Sequence, residues 1–140
     1  MDRDFIKEKF SHMKACGGIP AKPKTIDSYR SRVVTLLNRG VLEYLDRPEE
    51  FIKQMKKSVK STNGEATTPM SFESQRGYLK AVIQLCGLLE GDAWSELFKG
   101  SREEAVQSYR RFCTEIHIQQ KLGREPEAGP FEEASQTTGA

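Results

Sequence analysis

The sequence predicts an all-α fold: a compact bundle of four to five helices, with an extra amino-terminal helix and a disordered carboxy-terminal tail. Three observations carry this. Apolar residues recur at helical spacing in several separate runs, the longest being Ser71–Leu89. Strand-like alternation never persists for more than a few residues. Gly64, Gly91, Gly100 and Gly123 fall between the runs, where helix breakers belong. At 140 residues the chain has room for one domain with a real core. Its hydrophobic content of 36% is low for a globular chain, so part of it is expected to stay unpacked.

The elements follow in order. Residues 1–16 form an amphipathic helix, with Asp2 and Asp4 at the end where negative charge is favoured. Phe5, Ile6, Phe10 and Met13 make its apolar stripe. Gly17 and Gly18 stop it, and Pro20 and Pro23 hold IPAKPK as an extended connector. A second helix runs from about Thr25 to Asn38, its apolar face being Ile26, Tyr29, Val33, Leu36 and Leu37. Asn38-Arg39-Gly40 ends it. Val41, Leu42, Tyr44 and Leu45 form an apolar turn. Pro48 then opens a third helix, with Glu49 and Glu50 in its first turn and Phe51, Ile52, Met55 and Val59 inward.

Ser61–Pro69 is a polar loop without periodicity. The Ser71–Leu89 helix follows, with Phe72, Leu79, Val82, Ile83, Cys86 and Leu89 on one face. Arg76, Lys80 and Gln84 recur at i, i+4, i+8 on another. Ala93, Trp94, Leu97 and Phe98 make a short helical turn in which the lone tryptophan covers the core. Ser101, with Glu104 at the capping-box position, starts a last helix reaching about Leu122. Ala105, Tyr109, Phe112, Cys113 and Ile116 point inward from it. Residues 1–20 are thus helix and connector, 21–123 the helical domain, and 124–140 an acidic tail rich in Gly, Pro, Glu, Ser and Thr.

Charge is uneven along the chain. The formal net charge is +2, but the tail carries four acids against Arg124, leaving the body at +5. Lys53, Lys56, Lys57 and Lys60, at i, i+3, i+4, i+7, share an outer helix face that water or a polyanion must meet. Three well-separated cysteines imply no disulfide framework, which points to a reducing, intracellular compartment, nucleus or cytoplasm. No run is long and apolar enough for a signal peptide or a membrane span.

Chemistry is sparse. There is no CxxC, HxxxH, DxD or glycine-rich phosphate loop. A metal site drawn from His12, Cys16, Cys86, Cys113 and His117 lacks the short paired spacing of structural zinc, and no metal or other cofactor is expected. Tyr109, beside Arg110 and Arg111, sits in an apolar stripe and reads as core rather than as a nucleophile. What remains is a binding surface.

Thr25-Ile26-Asp27-Ser28-Tyr29, followed by Val33, Leu36 and Leu37, resembles the first helix of the core-binding, SAM-like amino-terminal domain of tyrosine recombinases and phage-type integrases. Ser71, Ser74, Tyr78-Leu79 and Ala81-Val82 are similar to that domain's third helix. The likeness covers roughly Thr25 to Leu122, and the amino-terminal helix is an addition to it. In that family the domain holds duplex DNA from one side while a separate catalytic domain holds it from the other. The resemblance implies a non-catalytic arm that contacts double-stranded DNA through Lys53, Lys56, Lys57, Lys60, Arg76, Lys80 and Arg110. Arg76 and Lys80 are then expected beside the Lys53–Lys60 stripe. The alternative is a protein-interaction or self-association module that docks through Phe5, Ile6, Phe10 and Met13.

Overall fold

Local sequence sets most of the helix boundaries. The computed structural model describes residues 1–13, 21–57 and 70–126. In it, α1 (Arg3–Phe10) starts at Asp2, whose carboxylate accepts the Phe5 N–H at 2.9 Å. It stops at Phe10 rather than continuing to Cys16; Gly17 and Gly18 lie outside the described residues.

The second helix, α2 (Pro23–Asn38), begins two residues earlier than its periodicity suggests. Pro23 is not a connector residue but the first residue of the helix. Its fixed φ suits that position, and its missing N–H is one that no helical carbonyl would have accepted. The other end is closed by Gly40 at φ 73°, where the Gly40 N–H reaches the Leu37 carbonyl and the Val41 N–H reaches that of Leu36. This paired turn needs the left-handed conformation that glycine adopts without a steric penalty.

A single 3-10 turn (Leu42–Tyr44) leads into α3 (Pro48–Met55). That helix also opens on proline, but it is shorter than the lysine spacing implies. Arg39 donates to the Met55 carbonyl at 3.2 Å and to the Lys57 carbonyl at 3.1 Å, satisfying helix-end acceptors from outside the helix. Lys56 is therefore the cap and Lys57 lies beyond it. Of the expected lysine face, Lys53 alone lies within the helix, and Lys60 is outside the described residues.

The fourth helix, α4 (Phe72–Leu88), is capped by the Ser71 hydroxyl, which accepts the Ser74 N–H at 3.1 Å. It packs against α6 (Arg102–Lys121), α2 and α1, and so occupies the centre. Leu79, Val82, Leu85, Cys86 and Leu89 are fully buried, as is Ala81. Phe72 and Ile83 are only half-buried. Gln75, the one buried polar residue among the described residues, donates to the Met70 carbonyl at 2.9 Å. After α5 (Asp92–Ser95), Ser101 caps α6 by accepting the Glu104 N–H.

Long-range polar contacts lock the turns onto this core. The Asp46 carboxylate accepts the backbone N–H groups of Lys99 at 3.1 Å and Gly100 at 3.0 Å. The buried Trp94 indole donates to the Gly100 carbonyl at 2.8 Å. Tyr109 is fully buried, its ring edge-on to Phe51, and its hydroxyl donates to the Leu45 carbonyl at 2.7 Å. It is a core residue, as its stripe implied.

The amino-terminal stripe is a correction. Phe5, Ile6, Phe10 and Met13 do not present a docking face, because α1 packs on α2 and α4. Ile6 and Phe10 are fully buried, Met13 is nearly so, and Phe5 lies half-buried against the same cluster. The face that a partner would need is covered by the chain's own core. All six α-helices therefore belong to one all-α bundle, with no strand among the described residues. None of these helices is long and apolar enough to cross a membrane. The tail lies outside the described residues from residue 127 onward.

Candidate nucleic-acid interface

Where α2 and α4 run side by side, their outer edges define an open groove. Lys22, Lys24, Thr25, Ser28, Tyr29 and Arg32 form one wall. Glu73, Arg76, Gly77 and Lys80 form the other, and Gln120 of α6 closes one end. The register explains the pairing. Residues 25, 28, 29 and 32 and residues 73, 76, 77 and 80 both follow i, i+3, i+4, i+7, so each set is one face of its helix. These faces lie beside the buried ones: Val33 and Leu36 on α2, Leu79, Val82 and Cys86 on α4. Burial of the apolar stripes brings the polar stripes together.

The groove holds five cations, Lys22, Lys24, Arg32, Arg76 and Lys80, against one carboxylate, Glu73. Among the described residues no ion pair engages any of them; the pairs formed are Asp27–Arg30, Asp46–Arg47 and Arg102–Glu103, and His12 lies 3.4 Å from Glu8. Arg32 is held from within its own helix, donating through Nη1 to the Ser28 hydroxyl at 2.8 Å. Its guanidinium lies across Gly77, where an added Cβ would come within 2.9 Å of Nε. Arg76 donates through Nη1 to Gln120 at 3.1 Å, while its buried Nε has no partner. Nearby on α6, burial pushes the half-buried Cys113 thiol above its ordinary range, against the opposing pull of Lys80 and Arg76.

Only part of the expected DNA surface is assembled here. Arg76 and Lys80 line the groove. Lys53 is exposed on α3 and is not among the lining residues; Lys57 is half-buried past the helix end and is also absent from the groove. Lys56 lines a different cleft, with Phe72, Gln75, Gln119 and Arg124. Arg110 is exposed on α6, outside both clefts, and Lys60 lies outside the described residues. The expectation that Arg76 and Lys80 sit within a lysine stripe of α3 is thus replaced: their neighbours are the cations of α2.

Lys22, Lys24 and Arg32 are the residues that sequence reasoning missed. A signal existed, since Ser28 and Arg32 are four apart on a face beside that of Val33 and Leu36. Treating Pro23 as a break removed Lys22 and Lys24 from the helix and hid the rest of the stripe. No cluster of three or more His, Cys, Asp or Glu residues that could hold a metal ion occurs among the described residues. No protein-family model, curated protein or solved structure matches the chain.

Proposed function

We propose that this chain is a DNA-binding helical module that grips the phosphate backbone in the α2–α4 groove, in the manner of a tyrosine recombinase's core-binding arm. The observation that carries the reading is the groove's charge: five cations line it, and none is in an ion pair among the described residues. Like charges gathered on adjoining faces repel, and a polyanion offsets that repulsion while releasing its own counterions. Contacts of this kind set position and orientation on a duplex and carry little sequence information. Thr25, Ser28 and Gln120 supply uncharged polar groups along the same groove, suited to phosphate and sugar oxygens. The proposed role is binding, with no catalytic step assigned to the groove.

Fluorescence anisotropy with a labelled duplex tests this. The double variant Arg76→Gln/Lys80→Gln is expected to weaken binding at least tenfold, and Lys53→Gln to leave it unchanged. Equal effects from the two, or none from the first, overturn the assignment of the surface. A second reading, an interaction module, now rests on a different feature. Ile118 in the last turn of α6 and Leu122 at its carboxy-terminal cap, four residues on, are 49% and 61% exposed. Sedimentation of the intact chain and of Ile118→Ser/Leu122→Ser decides whether that pair drives association.

A further inference from the structure

The two groove arginines share an arrangement that general basicity does not require. A guanidinium presents two parallel donors to a carboxylate or phosphate across its end, Nη1–H with Nη2–H, and along its side, Nε–H with Nη2–H, and the side edge is the one that leaves Nη1 free for another partner. In both Arg32 and Arg76 the protein engages the other nitrogen. Arg32 Nη1 is spent on Ser28, and Arg76 Nη1 on Gln120. Among the described residues neither bidentate edge meets an acceptor: Arg32 makes no further side-chain bond, and Arg76 Nε is shielded from water without a partner. A charged donor left unpaired in a crowded position is costly, and a ligand that engages it relieves the cost. Glu73 is the only carboxylate in the groove, and it pairs with neither arginine.

Gly77 belongs to the same device. It stands beside Arg76 in α4, and the Arg32 guanidinium rests on it. A Cβ there would meet Nε at 2.9 Å and Cζ and Nη2 at 3.1 Å. Any other residue would therefore displace the same Nε/Nη2 edge of Arg32, which meets no acceptor among the described residues. Glycine inside a helix is unfavourable, and nothing about the backbone requires it at this position, since Gly77 is absent from the positive-φ glycines. Its missing side chain is what lets the guanidinium lie down.

We infer that Arg32 and Arg76 form a fork for one phosphate group, with Lys80 as a third positive charge and Gly77 as the residue that positions the Arg32 arm. The phosphate takes the Nε/Nη2 edge of Arg32 from the groove side and draws the shielded Arg76 edge toward it. The inference deepens the groove reading and rests on it for the identity of the phosphate's carrier, a nucleic-acid backbone. The site itself is defined by the phosphate alone.

Inorganic phosphate is therefore the probe, titrated into the isotopically labelled full chain against chloride at matched ionic strength. The Nε–H resonances of Arg32 and Arg76 are expected to shift saturably, and those of Arg30 and Arg111 to stay still. Gly77→Ala is expected to reduce both phosphate affinity and duplex affinity at least fivefold. Its urea midpoint should equal or exceed that of the parent, because alanine is the better helix former and only a flexible side-chain end must move. Arg76→Lys keeps the charge but not the edge, and is expected to lose phosphate nearly as fully as Arg76→Gln. Duplex binding that survives Gly77→Ala unchanged, with no phosphate-induced shifts, overturns the fork and leaves the groove reading standing. Saturable phosphate shifts in a chain that binds no duplex uphold the fork and remove the nucleic-acid reading.

Discussion

If the groove holds a duplex as proposed, the salt dependence of that binding follows from the groove's composition. Five cations line it, so at most five phosphates are neutralised there. Each contact contributes about −0.9 to the slope of log K against log salt, giving a limiting slope of about −4.5. Raising salt from about 50 to about 200 mM then lowers affinity by about 500-fold. Replacing Arg76 and Lys80 with glutamine removes two contacts, which flattens the slope to about −2.7 and the loss over that interval to about 40-fold. Lys53→Gln, on a helix outside the groove, should leave the slope untouched. Anisotropy titrations at four or five salt concentrations measure all three lines, and circular dichroism verifies that the variants keep their helices. The reasoning fails if the double variant keeps the parent slope, or if Lys53→Gln flattens it by as much. Either result would place the phosphate contacts elsewhere on the protein.

Three further perturbations test the fold. Asp46→Ala strips the acceptor from the Lys99 and Gly100 N–H groups and should cost about 2–4 kcal/mol in urea unfolding, with Asp46→Asn recovering part of it. Arg39→Met removes two donors from the end of α3 and should cost about 1–3 kcal/mol, with faster amide exchange over Gln54–Lys57 as the local readout. Alkaline pH provides the third test. Burial pushes the Cys86 thiol from 9.0 to about 12, with Arg102 opposing, and burial also raises the Tyr109 phenol, with Cys86 and Asp46 adding to it. Both groups hold their protons more tightly when folded, so the stability they contribute is complete below pH 9. It declines as the unfolded chain ionises, at about 1.4 kcal/mol per pH unit for the thiol alone until about pH 12. Cys86→Ala should remove the first part of that decline and Tyr109→Phe the part beginning near pH 10.

The legible parts of this fold are those whose causes are local. Ser71 and Ser101 announce α4 and α6 because a hydroxyl and the N–H three residues on meet whatever the rest of the chain does. Gly40 ends α2 because the turn it makes is complete within six residues. Pro23 shows how a local rule can be applied at the wrong position: the same missing N–H that breaks a helix interior is harmless at its first residue. The end of α3 was not legible, since the guanidinium that closes it comes from sixteen residues upstream. Nor was the fate of the amino-terminal stripe. An apolar face declares that it will be covered, and only the packing of α1 on α2 and α4 says by what.

The groove follows the same division. Arg76 and Lys80 were visible as one turn of one helix, and their partners were not, because the partnership is a property of two helices packed together. Burying Leu79, Val82 and Cys86 against the bundle fixes the rotation of α4, and burying Val33 and Leu36 fixes that of α2. Once both rotations are set, residues 25–32 and 73–80 have no freedom left but to face each other across the groove. Gly77 is the place where this inheritance from the core becomes specific. Hydrophobic packing alone would accept alanine there and gain helix propensity. The glycine makes room for a charged side chain that meets no counter-ion among the described residues, and the proposed phosphate would supply one from outside.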